Sequence, residues 1–451
     1  MEPGPRDPLA SLFALEKLGI KFGLENIGAL CDTLGRPQDA WPSVIVAGTN
    51  GKGSVAAMVE RGLRAAGYST GLYTSPHLVH LEERFALGGE PVATARLRRA
   101  AATVLDAAAA ARARGRLATD PTFFEATTAI AFELFREAGV DLAVLEVGLG
   151  GRFDATNVAV PRAAAITTID FDHQQLLGHT LRGIAAEKAG VIKPGMPVVV
   201  GERKPEPLEV IEAACAERGA RLILAHEGVT LRPVPTPVPP DPTSPPRPPV
   251  GGGVLELHTP RRDYGSVRLS LAGNHQRDNA VVAVRLLEAL EDLGYRIPPD
   301  AVRIALADTH WPGRLDLRQA GPGRELLLDA AHNPAGSTVL AAYLREFAPE
   351  GLPLVFAMMK DKEVAETLRP ILPFAAPLML TRPSIPRAMP PDEVRQLIPG
   401  AGPGRRIEVE PDVGRALDRA WQAGSPICAC GSIFLVGEVL ERLGLPAWRP
   451  L

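Results

Sequence analysis

Residues 43–54 read SVIVAGTNGKGS, and this stretch decides the fold of the first part of the chain. The apolar run at 43–47 predicts a buried strand. Beyond the glycines, apolar residues recur at a helical period from Lys52 to Ala66, which predicts a helix with one buried face. A strand, a glycine-rich turn and a helix in this order indicate a phosphate-binding loop, because the N–H groups at a helix start bind anions.

The spacing differs from the common G-x-x-x-x-G-K-[ST] form, because Gly53 separates Lys52 from Ser54. Gly48 and Gly51 permit close approach of the backbone to a phosphate, and Lys52 would reach the outer phosphates. The alternative, a tight strand–helix turn without a ligand, is the weaker interpretation because both flanking elements are predicted. A GTPase is disfavoured, since the sequence has no N-K-x-D motif to read guanine.

Composition indicates a soluble globular protein of two or three domains, with 451 residues, 46% of them hydrophobic and 22% charged. A net charge of -3 predicts neither a nucleic-acid partner nor a membrane surface. Without C-x-x-C spacing, a zinc site or a disulfide framework is disfavoured for the four cysteines, Cys31, Cys215, Cys428 and Cys430. The N-terminus does not read as a signal peptide and no apolar run is long enough to span a membrane, so we expect a cytoplasmic protein.

Short apolar runs alternate with helical patterns along most of the chain, which predicts an α/β fold with a mainly parallel sheet. The alternation restarts after Arg314, and we place a domain boundary near residue 310. The expected architecture is a P-loop ATPase domain at 1–309 and a smaller, Rossmann-like α/β domain at 310–451. Ligands of such sheets bind beyond the carboxyl ends of the strands, so the cleft between the domains is the expected site.

A proline-rich segment at 232–253 interrupts the pattern, with ten prolines in 22 residues. This composition excludes a helix or a central strand and predicts an extended surface insertion. A ligand for an SH3-type domain is the alternative interpretation.

Motifs along nearly the whole chain resemble those of folylpolyglutamate synthase, a member of the ATP-dependent Mur ligase superfamily. The resemblance rests on the phosphate-binding loop and on segments of both predicted domains: TSPHL (74–78), FFEATT (123–128), LEVGLGGRFDATN (145–157), DHQQLLGHT (172–180), AAEKAGVIKPG (185–195), HWPGRLD (310–316), LDAAHNP (328–334), MKDKE (359–363) and CGSIFLVGEV (430–439).

The resemblance implies an enzyme that adds L-glutamate to a folate, and in many bacteria also to dihydropteroate, through an acyl phosphate made from ATP. Two alternatives stay open at this point: a Mur-type amino-acid ligase of cell-wall synthesis, and a nucleotide-binding regulator without catalysis. Cell-wall ligases carry an additional N-terminal domain, whereas 47 residues precede Gly48, which favours the folate branch. The presence of the candidate site residues Glu146, His173, Lys188 and Arg314 disfavours the regulator.

Metal candidates follow three predicted strands: Ser75, Glu146 and His173. A hydroxyl, a carboxylate and an imidazole, with water and phosphate oxygens, suit magnesium, although histidine is an unusual ligand for it. The resemblance implies two magnesium sites, with His173 at the second. It also implies that Lys188 is carbamylated, so that the side chain becomes an anionic metal ligand.

Further roles are implied by the resemblance. The catalytic set is Lys52, Lys188, Arg314 and His332, with Asn333 beside it. The ATP site comprises Asn50, Gly51, Lys52, Gly53, Ser54, Asn279, Arg314 and Asp329, with Gln276 nearby. The folate site comprises Thr122, Phe124 and Asp154. We expect a monomer whose partners are the small molecules ATP, L-glutamate and a folate or dihydropteroate.

Overall fold

The computed structural model describes residues 7–19, 21–234, 251–398 and 406–448. An eight-stranded sheet forms the centre of the N-terminal unit, in the order β4-β3-β2-β5-β1-β6-β7-β8. Its strands are β1 (Ser43–Ala47), β2 (Thr70–Tyr73), β3 (Phe85–Leu87), β4 (Glu90–Pro91), β5 (Leu142–Glu146), β6 (Ala163–Ile166), β7 (Pro197–Val200) and β8 (Arg221–Leu224). In the part of the sheet ordered β2-β5-β1-β6-β7-β8, every pair of neighbouring strands is parallel. Strands β3 and β4 extend the β2 edge as an antiparallel hairpin.

Helices cover both faces of this sheet, as its uninterrupted apolar strands require. One face packs on α1 (Pro8–Ala14), α2 (Glu25–Thr33), α4 (Thr94–Ala113), α5 (Phe123–Ala138), α6 (Gln174–Leu177), α7 (Leu181–Ala189) and α8 (Pro205–Glu217). The other face packs on α3 (Lys52–Ala65), α9 (Asn274–Asp292) and α10 (Pro299–Ala307). Along β1, Ile45 and Ala47 enter the first core while Val44 and Val46 enter the second.

A three-stranded antiparallel sheet, not expected from the sequence, packs on the α9–α10 side. It contains β9 (Thr230–Pro233), β10 (Gly253–His258) and β11 (Asp263–Leu269). Most of the proline-rich segment predicted at 232–253 lies outside the described residues, but its two ends belong to β9 and β10. The N–H of Val234 donates to the carbonyl of Val254 over 2.9 Å, so the ends of the insertion meet on adjacent strands. Because β9 is an edge strand, it tolerates Pro233.

The C-terminal unit has a six-stranded sheet in the order β12-β13-β17-β14-β15-β16. Its strands are β12 (Asp316–Gln319), β13 (Glu325–Asp329), β14 (Leu352–Phe356), β15 (Ala375–Leu380), β16 (Ile407–Val409) and β17 (Ile427–Cys430). Helices α11 (Pro334–Phe347), α12 (Val364–Leu368) and α13 (Pro391–Gln396) cover one face, and α14 (Val413–Ala423) and α15 (Ile433–Arg442) cover the other. Within the described residues of this sheet, β12 and β13 pair antiparallel, and the other neighbouring strands pair in parallel.

The predicted fold class, a mainly parallel P-loop unit followed by a smaller α/β unit, is confirmed. The predicted boundary near residue 310 lies between α10 and β12. Short 3-10 helices lie at Leu15–Leu18, Pro37–Asp39, Leu81–Arg84, Ala155–Val158 and Leu372–Phe374. Among the described residues, none of the helices combines the length and apolar character needed to cross a membrane.

Candidate active site

The loop between β1 and α3 has the conformation of a phosphate-binding turn. Gly51 adopts φ +86°, in the left-handed region, and a Cβ there would lie 2.3 Å from Oδ1 of Asn279. Asn279 is buried at the start of α9 and donates to Gln276, whose amide in turn donates to Oγ of Ser54 over 3.1 Å. Helix α9 therefore fixes the loop from the side where the predicted ATP site lies.

The unusual glycine between Lys52 and Ser54 has a steric explanation. A Cβ on Gly53 would lie 2.7 Å from two atoms of the Trp311 indole, well inside van der Waals contact. Trp311 comes from the connection between the two units, and its ring makes an edge contact with Trp448 at 6.2 Å between centroids. The first turn of α3 thus packs directly on the interdomain connection, and glycine is required for that approach.

Two lysines converge on the backbone of the loop. Nζ of Lys52 donates to the carbonyls of Gly48 and Thr49, each at 3.1 Å. Nζ of Lys188 donates to the same Gly48 carbonyl over 2.8 Å, from a side chain buried in α7. Burial, assisted by the charge of Lys52, lowers the pKa of Lys188 to about 7, so a large fraction of this amine is neutral at neutral pH.

A cleft opens beside this loop and is lined by both units. Its walls include Ser75 and Glu146 of the N-terminal unit and Arg314 just beyond the boundary, together with Gly53 and Trp448. The N–H of Ser75 donates to Oε2 of Glu146 over 3.1 Å. Burial raises the pKa of Glu146, while the charges of Lys52 and Arg314 and the Ser75 hydrogen bond oppose that rise. A buried carboxyl group thus lies beside the cations Lys52 and Arg314 at the end of β5.

His173 lies at a second position, at the start of α6. Its φ of +50° is in the left-handed region, and its Nε2 is 3.5 Å from Nζ of Lys362. Burial lowers the pKa of His173 to about 4, with Asp172 opposing, so the imidazole is neutral at neutral pH and able to bind a metal. The structure therefore brings Ser75 and Glu146 into contact, and places His173 beside residues of the C-terminal unit.

Loops of the C-terminal unit close over this second position. The Asp172 carboxylate lies 2.6 Å from Nζ of Lys362, 3.2 Å from Nδ2 of Asn333 and 3.5 Å from Nε2 of His332. Burial favours protonation of Asp172, but His332, His173 and Lys362 together hold its pKa well below its usual range. Asn333 also contacts Oδ1 of Asn50 in the phosphate-binding loop, at 3.2 Å.

Asp329, predicted to contact ATP, is turned toward its own loop. Its two carboxylate oxygens accept hydrogen bonds from the N–H groups of Leu315 and Ala331, both at 2.9 Å. Burial raises the pKa of this carboxyl, and Arg314 opposes the rise. Asp329 thus shapes the turn that carries Arg314, and a contact with ATP stays a prediction.

The three predicted folate residues lie on the other side of the sheet from α3, and two of them cap helices: Thr122 caps α5 and Asp154 caps the 3-10 helix at Ala155–Val158. Oγ1 of Thr122 accepts from the N–H of Glu125 at the start of α5. Asp154 accepts from the N–H groups of Leu149 and Thr156. The roles of both in folate binding stay predictions.

Phe124 packs against Gly148, where a Cβ would lie 2.4 Å from its ring, and 6.0 Å from Tyr73 between centroids. The sequence interpretation missed its neighbour Phe123, which stacks on half-exposed Phe13 at 5.7 Å. The guanidinium of buried Arg84 lies 5.1 Å from the Phe123 ring centre. Phe123 and Arg84 together offer an aromatic and cationic surface suited to a flat ring.

Sequence reasoning also gave no role to Asp172, Lys362, Trp311 or Trp448. The first three lie within the quoted motifs DHQQLLGHT, MKDKE and HWPGRLD. Across the described residues, no cluster of three or more His, Cys, Asp and Glu side chains forms a ready metal site. The candidate ligands come instead from a hydroxyl, one carboxylate, one imidazole and a lysine.

Comparison with known proteins gives consistent matches over the whole length. Residues 313–433 match the family model described as Mur ligase, glutamate ligase domain. A dihydrofolate synthase/folylpolyglutamate synthase of Mycobacterium tuberculosis is 37% identical over 97% of this chain and 91% of its own length.

Two solved structures are similar over both units. Folylpolyglutamate synthase of Mycobacterium tuberculosis, complexed with ADP and AMPPCP, superimposes with a TM-score of 0.86 at 34% identity, covering 98% of this chain and 100% of that one. A bifunctional folylpolyglutamate synthase/dihydrofolate synthase of Yersinia pestis, complexed with AMPPNP and manganese, gives 0.81 at 28% identity, covering 99% and 100%.

Proposed function

This chain belongs to the dihydrofolate synthase/folylpolyglutamate synthase family of ATP-dependent ligases, and from that premise we propose which of its residues carry out the ligation. The acceptors we propose are a folate, extended at its side-chain carboxylate by L-glutamate, and dihydropteroate. One observation supports the assignment above others: residues of both units line a single cleft that opens at the first turn of the phosphate-binding helix.

Ligation needs activation, because a carboxylate is a poor electrophile. An oxygen of the acceptor carboxylate attacks the γ-phosphorus of ATP, and the bond to the bridging oxygen breaks to release ADP. The amine of glutamate then attacks the acyl carbon, phosphate leaves, and the nitrogen loses a proton. The enzyme must align three reactants, offset concentrated negative charge and exclude water.

Phosphate charge is offset by residues on both sides of the cleft. The N–H groups at the start of α3 would bind the β- and γ-phosphates, and Lys52 would exchange its two backbone carbonyl partners for phosphate oxygens. Arg314 approaches from the connection to the C-terminal unit, and its planar guanidinium suits the spread charge of a transferring phosphoryl group. Asn279, which already fixes Gly51, is the proposed contact for the base.

The residues present fit a divalent cation. Glu146 is a buried carboxylate in contact with the Ser75 backbone, in the cleft where the phosphates would lie. A bound magnesium ion would neutralise the phosphate oxygens and polarise the bond that breaks. His173, neutral at neutral pH, is the proposed ligand of a second ion.

Lys188 is proposed to be carbamylated, as the family resemblance implies. Its amine is buried and has a pKa lowered to about 7, so the neutral fraction can attack carbon dioxide and form a carbamate with loss of a proton. The product carries a negative charge within reach of Lys52, which now repels the protonated amine. The modification would replace this repulsion with attraction.

The aromatic surface formed by Phe123, Phe124 and Arg84 is the proposed place for the pterin ring, with Thr122 and Asp154 shaping its loops. We propose that the enzyme acts as a monomer in the cytoplasm, on small molecules alone.

The test is phosphate release from ATP with magnesium and L-glutamate, measured with each acceptor separately. We expect turnover with dihydropteroate and with a reduced folate, and mass spectrometry should show one added glutamyl unit per cycle. Lys52→Ala should abolish turnover without changing the melting temperature, since the lysine bonds only to backbone of its own loop. Turnover with a UDP-muramoyl acceptor and none with a pterin would refute the proposal, as would ATP binding without any turnover.

A further inference from the structure

Asp172 is a carboxylate of the N-terminal unit whose side-chain partners come largely from the C-terminal unit. It lies between β6 and α6, and its side chain is 12% exposed. Lys362 follows β14, while His332 and Asn333 follow β13, so two separate loops of the second sheet reach the same two oxygen atoms.

The neighbouring contacts reinforce this junction. Nε2 of Gln174 donates to Oε1 of Glu363 over 2.7 Å, and Asn333 links the junction to Asn50 of the phosphate-binding loop. The contacts of this junction are polar and charged, unlike the apolar contacts that Leu78 and Val79 make elsewhere with a core of the C-terminal unit. Such contacts exchange readily with water when two units separate, whereas a dry apolar interface does not.

The contacts between the two units at this junction depend on the negative charge of Asp172. A largely buried carboxylate paired at 2.6 Å with an ammonium group interacts far more strongly than an exposed pair. Removing the carboxylate leaves Lys362, itself 11% exposed, without its counter-ion in a nearly dry position. The favourable response is for the C-terminal loops to move away and let water reach the ammonium group.

We propose that Asp172 is a positioning residue that latches the C-terminal unit onto the phosphate-binding loop and so closes the active site for ligation. The inference rests on the proposed function. Closure affects catalysis because a water-sensitive acyl phosphate must survive until the amine attacks. In this role Asp172 contacts neither ATP nor the acceptor, and it acts through His332, Asn333 and Lys362.

The first test is Asp172→Asn, which keeps the shape and removes the charge. We expect kcat to fall about tenfold or more while KM for ATP changes less than about threefold, because the phosphate-binding loop is intact. The ratio of phosphate released to glutamate incorporated should rise above that of the wild type, since water reaches the acyl phosphate. Asp170→Asn is the matched control, because Asp170 pairs with Lys204 inside the same unit, and it should leave both readouts unchanged.

The second test is a double-mutant cycle with Lys362→Met. If the two residues act as one latch, the double variant should lose no more than about twofold beyond the worse single variant. Lys362→Arg should recover part of the activity. Additive losses, or an unchanged phosphate-to-glutamate ratio in Asp172→Asn, would overturn the proposal.

Closure can be measured without turnover. The four native cysteines are buried, so dyes can be attached at Glu209→Cys in α8 and Asp418→Cys in α14. With AMPPCP and magnesium, energy transfer should report a closed state that Asp172→Asn depopulates. A variant as closed as the wild type refutes the latch, whatever the acceptor assay shows. Loss of manganese affinity in parallel with kcat would refute it too, because the residue would then act through His173.

Discussion

Replacing Gly53 with alanine tests whether the phosphate-binding helix and the interdomain connection must touch for catalysis. The added methyl group would lie 2.7 Å from the Trp311 indole, and ordinary contact begins at 3.4 Å. The ring and the helix must therefore separate by roughly 1 Å to restore normal van der Waals distance. Trp311 packs against Trp448 on one side, which restricts its retreat and directs part of the displacement to α3.

A shift of about 1 Å in a reacting group lowers catalytic rates by about 10²-fold, so we expect a loss of this order in kcat/KM for ATP. Stability should respond differently. Alanine favours a helix over glycine by about 1 kcal/mol, which offsets part of the crowding cost of about 1–3 kcal/mol. Urea unfolding should therefore shift by at most about 2 kcal/mol while phosphate release nearly stops.

The control is Trp311→Leu, which removes the indole and with it the clash. Trp311→Leu by itself should lower kcat/KM. In that background the additional Gly53→Ala substitution should change kcat/KM by less than about threefold. A Gly53→Ala enzyme with wild-type kcat/KM would show that the contact with Trp311 is not needed. Equal losses in both backgrounds would show that the glycine acts through the loop alone.

Three further perturbations test the site and its surroundings. Lys188→Met should lower kcat at least about 10²-fold, and the carbamate signal of ¹³C-bicarbonate-treated protein should disappear from the NMR spectrum. Lys193→Met, which replaces a lysine that is only partly buried, should leave both unchanged. Glu146→Gln should lower phosphate release by about 10²-fold while urea unfolding shows equal or greater stability, because burial already penalises the charged carboxylate. Deleting 235–249 should leave kcat and the melting temperature nearly unchanged, because the ends of the segment already meet on β9 and β10 and loop length affects closure weakly; a large fall in kcat at an unchanged melting temperature would show that the insertion acts at the site.

Much of the fold could be predicted because its determinants are local. The run SVIVA, the positive φ that Gly51 supplies and the apolar period of α3 lie within a short stretch, and each favours the same strand–turn–helix unit. The three-stranded sheet was missed, although Leu255 and Leu257 are buried and Glu256 and His258 exposed in strict alternation. That pattern was obscured by the proline-rich segment directly before it.

The candidate site, too, could be predicted only in part from the sequence. Residue types at strand ends indicated Ser75, Glu146 and His173, and the carboxyl ends of parallel strands share one edge of a sheet. Contact between Ser75 and Glu146, and the position of His173 beside Lys362 of the C-terminal unit, depended on how the loops fold. The role of Lys188 was implied only by the family resemblance, and its burial beside the Gly48 carbonyl, which lowers its pKa, became visible in the structure alone.

By itself, then, the sequence determined the strand–turn–helix unit around the phosphate-binding loop, the α/β alternation of most of the chain and the family motifs it carries, because these depend on neighbours in the chain. Tertiary structure alone decided which distant residues meet. Asp172 and Lys362 are 190 positions apart, and neither carries a local signal for the other. Gly53 is explained only by the Trp311 ring that packs on it. Such pairings follow from how the two units pack against each other, and that packing is governed by the shape and charge of whole surfaces.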